Sequence, residues 1–301
     1  MSFYDPEKLK NFLRESGKPD KKNILKFLKS VVIAFLLAVF IKAFFVESTV
    51  IPSASMENTL LPGDFLLVSK FSYGIKTPGK IPFTDIPLSS LSLIDFNKPG
   101  NGDIIVFKYP GDKNSKKRTS DYFVKRCIAG PGDTLEIREK KLYINRSETG
   151  LPENGKFSNN YFYPKDYRAG NVFPESEKWN PDNYGPIVIP GSGMEIVLNY
   201  KNIEFWRKLI NNELGRQAVK VIGSKIFIDE KETKFYEVRD DYFFVMGDNR
   251  DNSYDSRFWG FVSRESIVGK VCLIYWSTDC SEVNTGIFCP VRWNRILKFV
   301  D

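Results

Sequence analysis

The sequence predicts a mostly β protein that is preceded by one transmembrane helix and carries an inserted α+β region. An apolar run near the N-terminus predicts the helix. Short β-branched and aromatic runs, separated by Gly, Pro and Asp, predict the strands that follow. A middle stretch, 147–240, has a different composition and predicts the insertion. Of the 301 residues, 42% are hydrophobic and 27% are charged, which is typical of a folded protein with a core.

The N-terminal segment has the pattern of a membrane anchor. A basic tail, residues 1–29, precedes the apolar run Val31–Ile41, and apolar residues on both sides extend this run to about 20 residues, the length that crosses a bilayer. We predict an anchor over residues 30–48, with the basic tail in the cytoplasm and the remainder of the chain outside. A cleaved signal peptide is the first alternative, but no small-x-small site follows the run. A buried core helix is the second, because the uninterrupted run is short.

The rest of the chain divides into a β domain in two parts and an insertion. The predicted strands are Phe65–Phe71, Asp103–Tyr109, Tyr122–Ala129, Thr134–Arg138, Leu142–Asn145, Tyr242–Met246, Phe258–Val262 and Ile267–Trp276. They assign residues 49–146 and 241–301 to the two parts of the β domain. Residues 147–240 are rich in Asn, Tyr, Pro and Gly, and only Phe205–Leu214 has the apolar spacing of a helix. We predict that 147–240 is an accessory insertion.

Composition limits the chemistry that this chain can perform. The sequence contains no His, which excludes Ser-His-Asp and Cys-His catalysis within the chain and argues against a conventional zinc enzyme. If the protein is a hydrolase, its general base must be Lys, Asp or Glu. The net charge of +7 is spread along the chain, so we expect a bilayer and no nucleic acid as partner. Cys280 and Cys289 flank a short loop and are either a disulfide or two free thiols.

Three short segments could carry chemistry. Ser55, in Ile51-Pro-Ser-Ala-Ser-Met56, is by itself an ordinary turn residue. Lys125 lies in an apolar strand, either pointing to water or buried and driven towards neutrality. To act as a base its pKa must fall by about 2 to 3 from its usual 10.4, which corresponds to about 3–4 kcal/mol. The polar tract Gly247–Arg257 is a solvated loop or a hydrogen-bonded scaffold that orients a base; it fits a calcium loop poorly.

Taken in order, these segments resemble the bacterial type I signal peptidases, the Ser-Lys enzymes that remove signal peptides. The matching motifs are Pro52-Ser-x-Ser-Met56 with Thr59-Leu60, Gly63-Asp64, Gly102-Asp-Ile104, Lys125-Arg126 with Gly130-x-Gly-Asp133, Gly247-Asp-Asn-Arg-Asp-Asn-Ser253 and Asp255-Ser-Arg257. The resemblance runs from Ile51 to Trp276 and leaves the insertion unmatched. One departure stands beside Ser55, where Glu57-Asn58 replaces the usual residue-plus-Pro.

The resemblance implies a role for each candidate residue. Ser55 would be the nucleophile and Lys125 its general base. The Ser53 hydroxyl and the Ser55 backbone N–H would form the oxyanion hole, and Ser253 would orient the Lys125 amine. A supporting ion-pair network would contain Asp255, Arg257 and Arg126. Shallow pockets for small substrate side chains would be lined by Ile51, Pro52, Met56, Leu60, Phe123 and Val124.

The same resemblance implies where the protein works and on what. It predicts a single-pass protein of the bacterial inner (cytoplasmic) membrane whose catalytic domain, 49–146 and 241–301, lies on the outer side. Its substrates would be preproteins with small-x-small cleavage sites, bound as an added strand, and no metal or cofactor is expected. Two rivals remain: a self-cleaving, repressor-like Ser-Lys protease, which would carry a DNA-binding domain instead of an anchor, and an inactive anchored scaffold that binds exported chains.

Overall fold

The fold is described by a computed structural model that covers residues 7, 21–78, 86, 88, 92–110, 122–279 and 289–300. Its first helix, α1, runs from Lys21 to Phe44. The segment Ile24–Phe44 has a mean hydropathy of 2.5 and is not buried against the rest of the protein. This confirms the predicted apolar helix. The helix ends before the predicted anchor does, because residues 46–48 already belong to a strand.

Strands make up most of the regular secondary structure after α1, which confirms the predicted fold class. In chain order they are β1 (Val46–Val50), β2 (Asp64–Ser69), β3 (Gly74–Lys76), β4 (Ser92–Asp95), β5 (Ile104–Lys108), β6 (Tyr122–Ala129), β7 (Thr134–Arg138), β8 (Lys141–Ile144), β9 (Ser147–Thr149), β10 (Tyr184–Val188), β11 (Glu195–Val197), β12 (Val219–Ile222), β13 (Lys225–Ile228), β14 (Lys231–Glu232), β15 (Phe235–Glu237), β16 (Tyr242–Met246), β17 (Val262–Ser263), β18 (Ile267–Ser277) and β19 (Lys298–Phe299). Two more helices are α2 (Ile203–Leu214) and α3 (Ser256–Trp259).

The largest sheet interleaves strands from the beginning and the end of the chain that follows α1. Its order is β1-β2-β18-β5-β6-β16-β17, with β19 also paired to β18, and all of these pairs are antiparallel. β18 therefore lies between β2 and β5, and β16 lies beside β6. As a result, the tract that follows β16 comes close to the segment between β1 and β2, although about 190 residues separate them in sequence.

Both faces of this sheet are covered by apolar side chains. Ile104 and Val106 of β5 belong to one buried cluster, whereas Ile105 and Phe107 belong to another. Successive strand residues point to opposite faces, so an uninterrupted apolar run such as Ile104–Phe107 indicates a strand buried on both sides. β6, next to β5, is buried in the same way and carries Lys125 at its centre.

The predicted insertion, 147–240, forms small sheets that pack against the main one. β10, β7, β8 and β9 form a four-stranded sheet, so the boundary proposed at residue 146 falls inside the β8–β9 hairpin. A third apolar cluster joins Leu209 and Ile210 of α2 to Phe244 of β16. The predicted helix over residues 205–214 is confirmed by α2. The division into a catalytic domain and an insertion remains a proposal.

One predicted strand is wrong. Residues 258–262 do not form a strand; they contain the end of α3, the connecting Gly260 and the first residue of β17. The Asp255 carboxylate accepts a hydrogen bond from the Arg257 backbone N–H, which caps the start of this helix and turns the chain away from the strand direction.

The three cysteines among the described residues differ in their state. Cys127 is buried and free, and Cys272 is free and partly exposed. Cys289 is disulfide-bonded. Cys280, its partner in the disulfide alternative, lies outside the described residues.

Candidate active site

Ser55 lies on a short 3₁₀ turn, Ala54–Met56, in the connection between β1 and β2. Its side chain is largely buried, at 9% exposure. The neighbouring Met56 and Leu60 belong to the apolar cluster that also contains Val124 of β6. These contacts attach the turn to the strand that carries Lys125.

Lys125 lies beside this turn. Its Nζ is 2.6 Å from Ser55 Oγ and 3.1 Å from the Val124 carbonyl oxygen, and the residue is only 3% exposed. The Phe123 ring, on the same face of β6, has its centroid 5.7 Å from Nζ. Burial lowers the pKa of Lys125 to about 8, against the opposing pull of Asp255 and Asp248. An amine with this pKa is neutral in a substantial fraction of molecules near neutral pH, so it can accept a proton.

The Ser53 hydroxyl is the polar side chain next to the pair on the same segment. Its Oγ lies 3.4 Å from Ser55 Oγ, and Ser53 and Pro52 are both exposed. A hydroxyl in this position can donate a hydrogen bond to negative charge that develops beside Ser55.

Asp255, Arg257 and Arg126 are all buried, but they form two ion pairs and not the single network predicted from the resemblance. Arg257 donates to both carboxylate oxygens of Asp255, each at 2.9 Å. Arg126 donates instead to Asp248, with Nε and Nη2 at 2.9 and 2.8 Å from its two oxygens. Burial disfavours the charge on Asp255, but the Arg257 charge outweighs it and keeps the pKa of this carboxyl below its usual value.

Ser253 does not make the predicted hydrogen bond to the Lys125 amine. Its Oγ is buried and has no hydrogen-bond partner within the described part of the chain. The hydroxyl lies close enough to Asp255 to help lower the pKa of that carboxyl, although the pair lacks hydrogen-bonding geometry. Gly247 separates Ser253 from the turn: a Cβ at this glycine would collide with the Ser253 side chain and with the carbonyl oxygen of Ser55.

The predicted pocket residues differ in exposure. Ile51, Met56, Leu60 and Val124 are buried in one apolar cluster, and Met56 and Leu60 have at most 1% of their surface exposed. Their side chains therefore present little surface for direct contact with a substrate. Pro52 is exposed and Phe123 is half-buried, so these two are available for direct contact.

Asp248 and Thr59 were missed as site residues by the sequence reasoning. Asp248 is fully buried and, besides pairing with Arg126, accepts a hydrogen bond from Thr59 Oγ1 at 2.5 Å. It thereby links the strand that carries Lys125 to the turn that carries Ser55. Both residues lie inside motifs that match the family. The position of Asp248 shortly after β16, beside the strand of Lys125, is the feature that could have indicated its role.

The departure at Glu57-Asn58 changes the local backbone. Asn58 has φ 75°, in the left-handed region that Asn tolerates and that proline, fixed near −65°, cannot adopt. Ser55 keeps its contact with Lys125 despite this difference. The departure affects the turn that follows Ser55 and leaves the contact between Ser55 and Lys125 intact.

Comparison with known proteins shows the family to which this chain is similar. Residues 24–276 match the family described as "Signal peptidase, peptidase S26". A Signal peptidase I of Helicobacter pylori strain J99 is 32% identical over 92% of this chain and 96% of its own length. One from Buchnera aphidicola subsp. Acyrthosiphon pisum is 35% identical over 98% of this chain and 92% of its own. A solved signal peptidase I of Enterococcus faecalis aligns with 58% of this chain and 98% of its own, at 22% identity and a TM-score of 0.29.

Proposed function

This chain belongs to the signal peptidase family, peptidase S26, and on that premise we propose that it is a signal peptidase I that cleaves preproteins through Ser55 and Lys125. The observation that carries the proposal is the 2.6 Å contact between Lys125 Nζ and Ser55 Oγ. A serine hydroxyl is a weak nucleophile until a base within hydrogen-bond reach removes its proton. In a chain without His, a buried lysine of lowered pKa is suited to this task.

The reaction is amide hydrolysis through an acyl-enzyme. The neutral Lys125 amine accepts the Ser55 proton while Oγ forms a bond to the scissile carbonyl carbon. The Ser53 hydroxyl donates to the resulting oxyanion, and a donor of this kind contributes about 3–4 kcal/mol to the transition state. The Lys125 ammonium then protonates the leaving amine as the C–N bond breaks. Water, activated by the same amine, hydrolyses the acyl-enzyme and regenerates Ser55.

The membrane anchor determines where this chemistry takes place. Nine residues separate Val46 from Ser55, at most about 30 Å of extended chain, so the nucleophile stays close to the bilayer surface. Lys26 and Lys29 lie in the first two turns of the apolar span, at its N-terminal end, which favours a cytoplasmic N-terminus and a catalytic domain on the outer side of the bacterial inner membrane. Substrates tethered in the same bilayer reach the site at high effective concentration.

Side-chain size at the site favours small substrate residues. Met56 and Leu60 are buried beneath the Ser55 turn and fill space that a large substrate side chain would need, while Pro52 and Phe123 are the more exposed apolar neighbours. We therefore propose small side chains at the first and third positions before the cut.

The test is cleavage of a preprotein by the full chain in detergent. Ser55→Ala and Lys125→Ala should each lower kcat by about a thousandfold or more, as loss of one member of a catalytic unit does. Ser147→Ala and Lys141→Ala, both at exposed positions in the β8–β9 hairpin, are matched controls and should cleave normally. Wild-type rates for either site variant would refute the mechanism, and an inactive unmutated chain would favour the scaffold alternative.

A further inference from the structure

A lysine of the predicted insertion reaches the turn that carries Ser55. Lys156 Nζ lies 2.9 Å from Glu57 Oε2, two residues after the nucleophile. The Lys156 backbone is held as well: its N–H donates to the Asp248 carbonyl at 2.8 Å, and its own carbonyl accepts from the Arg250 N–H at 2.9 Å. These two bonds form a parallel bridge with Asn249 and fix the backbone position from which the Lys156 side chain extends to Glu57.

The same carboxylate oxygen is shared with the tract that follows β16. Asn249 Nδ2 donates to Glu57 Oε2 at 3.0 Å and to the Ala54 carbonyl at 3.2 Å. The Asn249 backbone N–H donates to the carbonyl of Ser55 itself at 3.1 Å. A continuous set of hydrogen bonds thus runs from Lys156 through Glu57 and Asn249 to the backbone of the nucleophile.

The turn depends on such contacts for its rigidity. The stretch from Ser53 to Leu61 contains no proline, and its Asn58 adopts a left-handed conformation. Nothing in the covalent backbone therefore restricts the turn as a proline would. The Glu57 carboxylate, which accepts hydrogen bonds from Lys156 and Asn249, can restrict the turn instead. Hydrogen bonds to a charged group are about twice as strong as those between neutral groups.

We propose that Lys156 and Glu57 are positioning residues for Ser55, so that residues 147–240 contribute to catalysis through this contact. The proposal rests on the proposed function. The side-chain hydrogen bonds of this pair are to each other and to Asn249, not to Ser55 Oγ or Lys125 Nζ, so they act by holding the Oγ at its distance from Lys125. A displacement of about 1 Å at a reacting group can lower the rate by about a hundredfold.

A positioning role predicts a loss of rate without a comparable loss of stability. The Lys156 and Glu57 side chains are 33% and 38% exposed, and ion pairs at this exposure contribute little to folding. Breaking the pair should therefore leave the unfolding midpoint nearly unchanged. The KM should also stay nearly constant, because a positioning role affects the distance between Ser55 Oγ and Lys125 Nζ and not the binding of substrate.

The experiment compares Lys156→Met, Glu57→Ala and Glu57→Gln in the full chain in detergent. We expect the first two to lower kcat by about tenfold or more with KM within about twofold, whereas Glu57→Gln, which keeps an acceptor for both donors, retains most of the activity. Arg216→Met removes an exposed ion pair with Asp229 elsewhere in the insertion and is the matched control. It should cleave as the unmutated chain does.

Amide hydrogen exchange over residues 53–59 is the second measurement and needs no activity. Exchange should accelerate in Lys156→Met and Glu57→Ala and not in Arg216→Met, because the Ser55 turn loses its brace only in the first two. Unchanged exchange, or an unchanged kcat in an active enzyme, would overturn the positioning role while the proposed function stands. An unmutated chain that cleaves nothing would instead refute the proposed function. Amide hydrogen exchange over residues 53–59 would then still show whether the Lys156–Glu57 pair rigidifies the turn.

Discussion

Replacing Lys125 with Met should change the pH dependence of folding stability in a direction set by the burial of the amine. Methionine keeps an unbranched chain of similar length and removes the titrating group. In the wild type, burial lowers the pKa of Lys125 from 10.5 to about 8. The unfolded chain therefore binds this proton more tightly than the folded protein does. Below pH 8 both states are protonated and the folded state carries the full penalty of a buried charge, which is relieved as the pH rises from 8 to 10.5.

The size of the effect follows from that pKa difference. At 1.36 kcal/mol per pKa unit, the fall from 10.5 to about 8 corresponds to a penalty of about 3 kcal/mol at low pH. Integrating the proton binding of both states between pH 6 and pH 9 gives a gain in wild-type stability of about 1 kcal/mol from this residue alone. The Met variant lacks this gain, so its stability relative to wild type should decrease by about 1 kcal/mol between pH 6 and pH 9.

Urea unfolding of both proteins in the same detergent at pH 6 and pH 9 measures this difference. Other titrating groups are common to the two proteins and cancel in the comparison. In parallel, wild-type kcat/KM should fall as the pH drops through about 8, because the protonated amine cannot act as a base. Equal stability differences at the two pH values would show that Lys125 is not desolvated, and the argument for its role as base would fail.

Two further substitutions test the parts that hold the pair together. Asp248→Ala removes the carboxylate that neutralises the buried Arg126 guanidinium and should lower the free energy of unfolding by about 3–5 kcal/mol at pH 7, measured by urea unfolding. Glu136→Ala, in an exposed pair with Arg138, is its control and should change stability by about 1 kcal/mol or less; a similar loss in both would contradict the reasoning. Gly247→Ala should lower kcat at least about tenfold, because its methyl group displaces the Ser55 carbonyl. Gly150→Ala, where a Cβ meets open space, should leave kcat unchanged, and equal rates for the two glycine variants would contradict the close approach at Gly247.

The sequence predicted those parts of the fold in which a local pattern and the packing agree. β6 and β16 have their predicted bounds, because both are apolar runs closed by Gly or polar residues. The strand predicted over residues 258–262 failed because aromatic content indicated a strand, whereas the Asp255 cap, three residues earlier, determined a helix. Residues 46–48 were assigned to the anchor by hydropathy, although pairing with β2 makes them part of a strand.

At the site, sequence reasoning predicted the pair and missed how the pair is held. Ser55 and Lys125 stand in ordered motifs, and their contact is the one that the resemblance implied. Lys156 stands in an unmatched stretch with no motif around it. Only the parallel bridge to Asn249 brings it to Glu57, and a bridge between residues about 90 positions apart has no signature in sequence. The grouping of Arg126 with Asp255 failed for the same reason, because the choice between two nearby carboxylates is made by tertiary packing.

The pairing of each buried carboxylate with its own arginine affects the pKa of Lys125. Lys125 has two uncharged partners, the Ser55 hydroxyl and the Val124 carbonyl, although Asp248 and Asp255 both lie near enough to raise its pKa. Each of these carboxylates is held in a two-point contact by its own arginine. A carboxylate freed to pair with Lys125 would stabilise the ammonium and bring its pKa back towards the usual value, which would remove the base. The two buried arginine pairs therefore hold both carboxylates out of direct contact with the Lys125 amine, so that burial outweighs their charge and its pKa stays low.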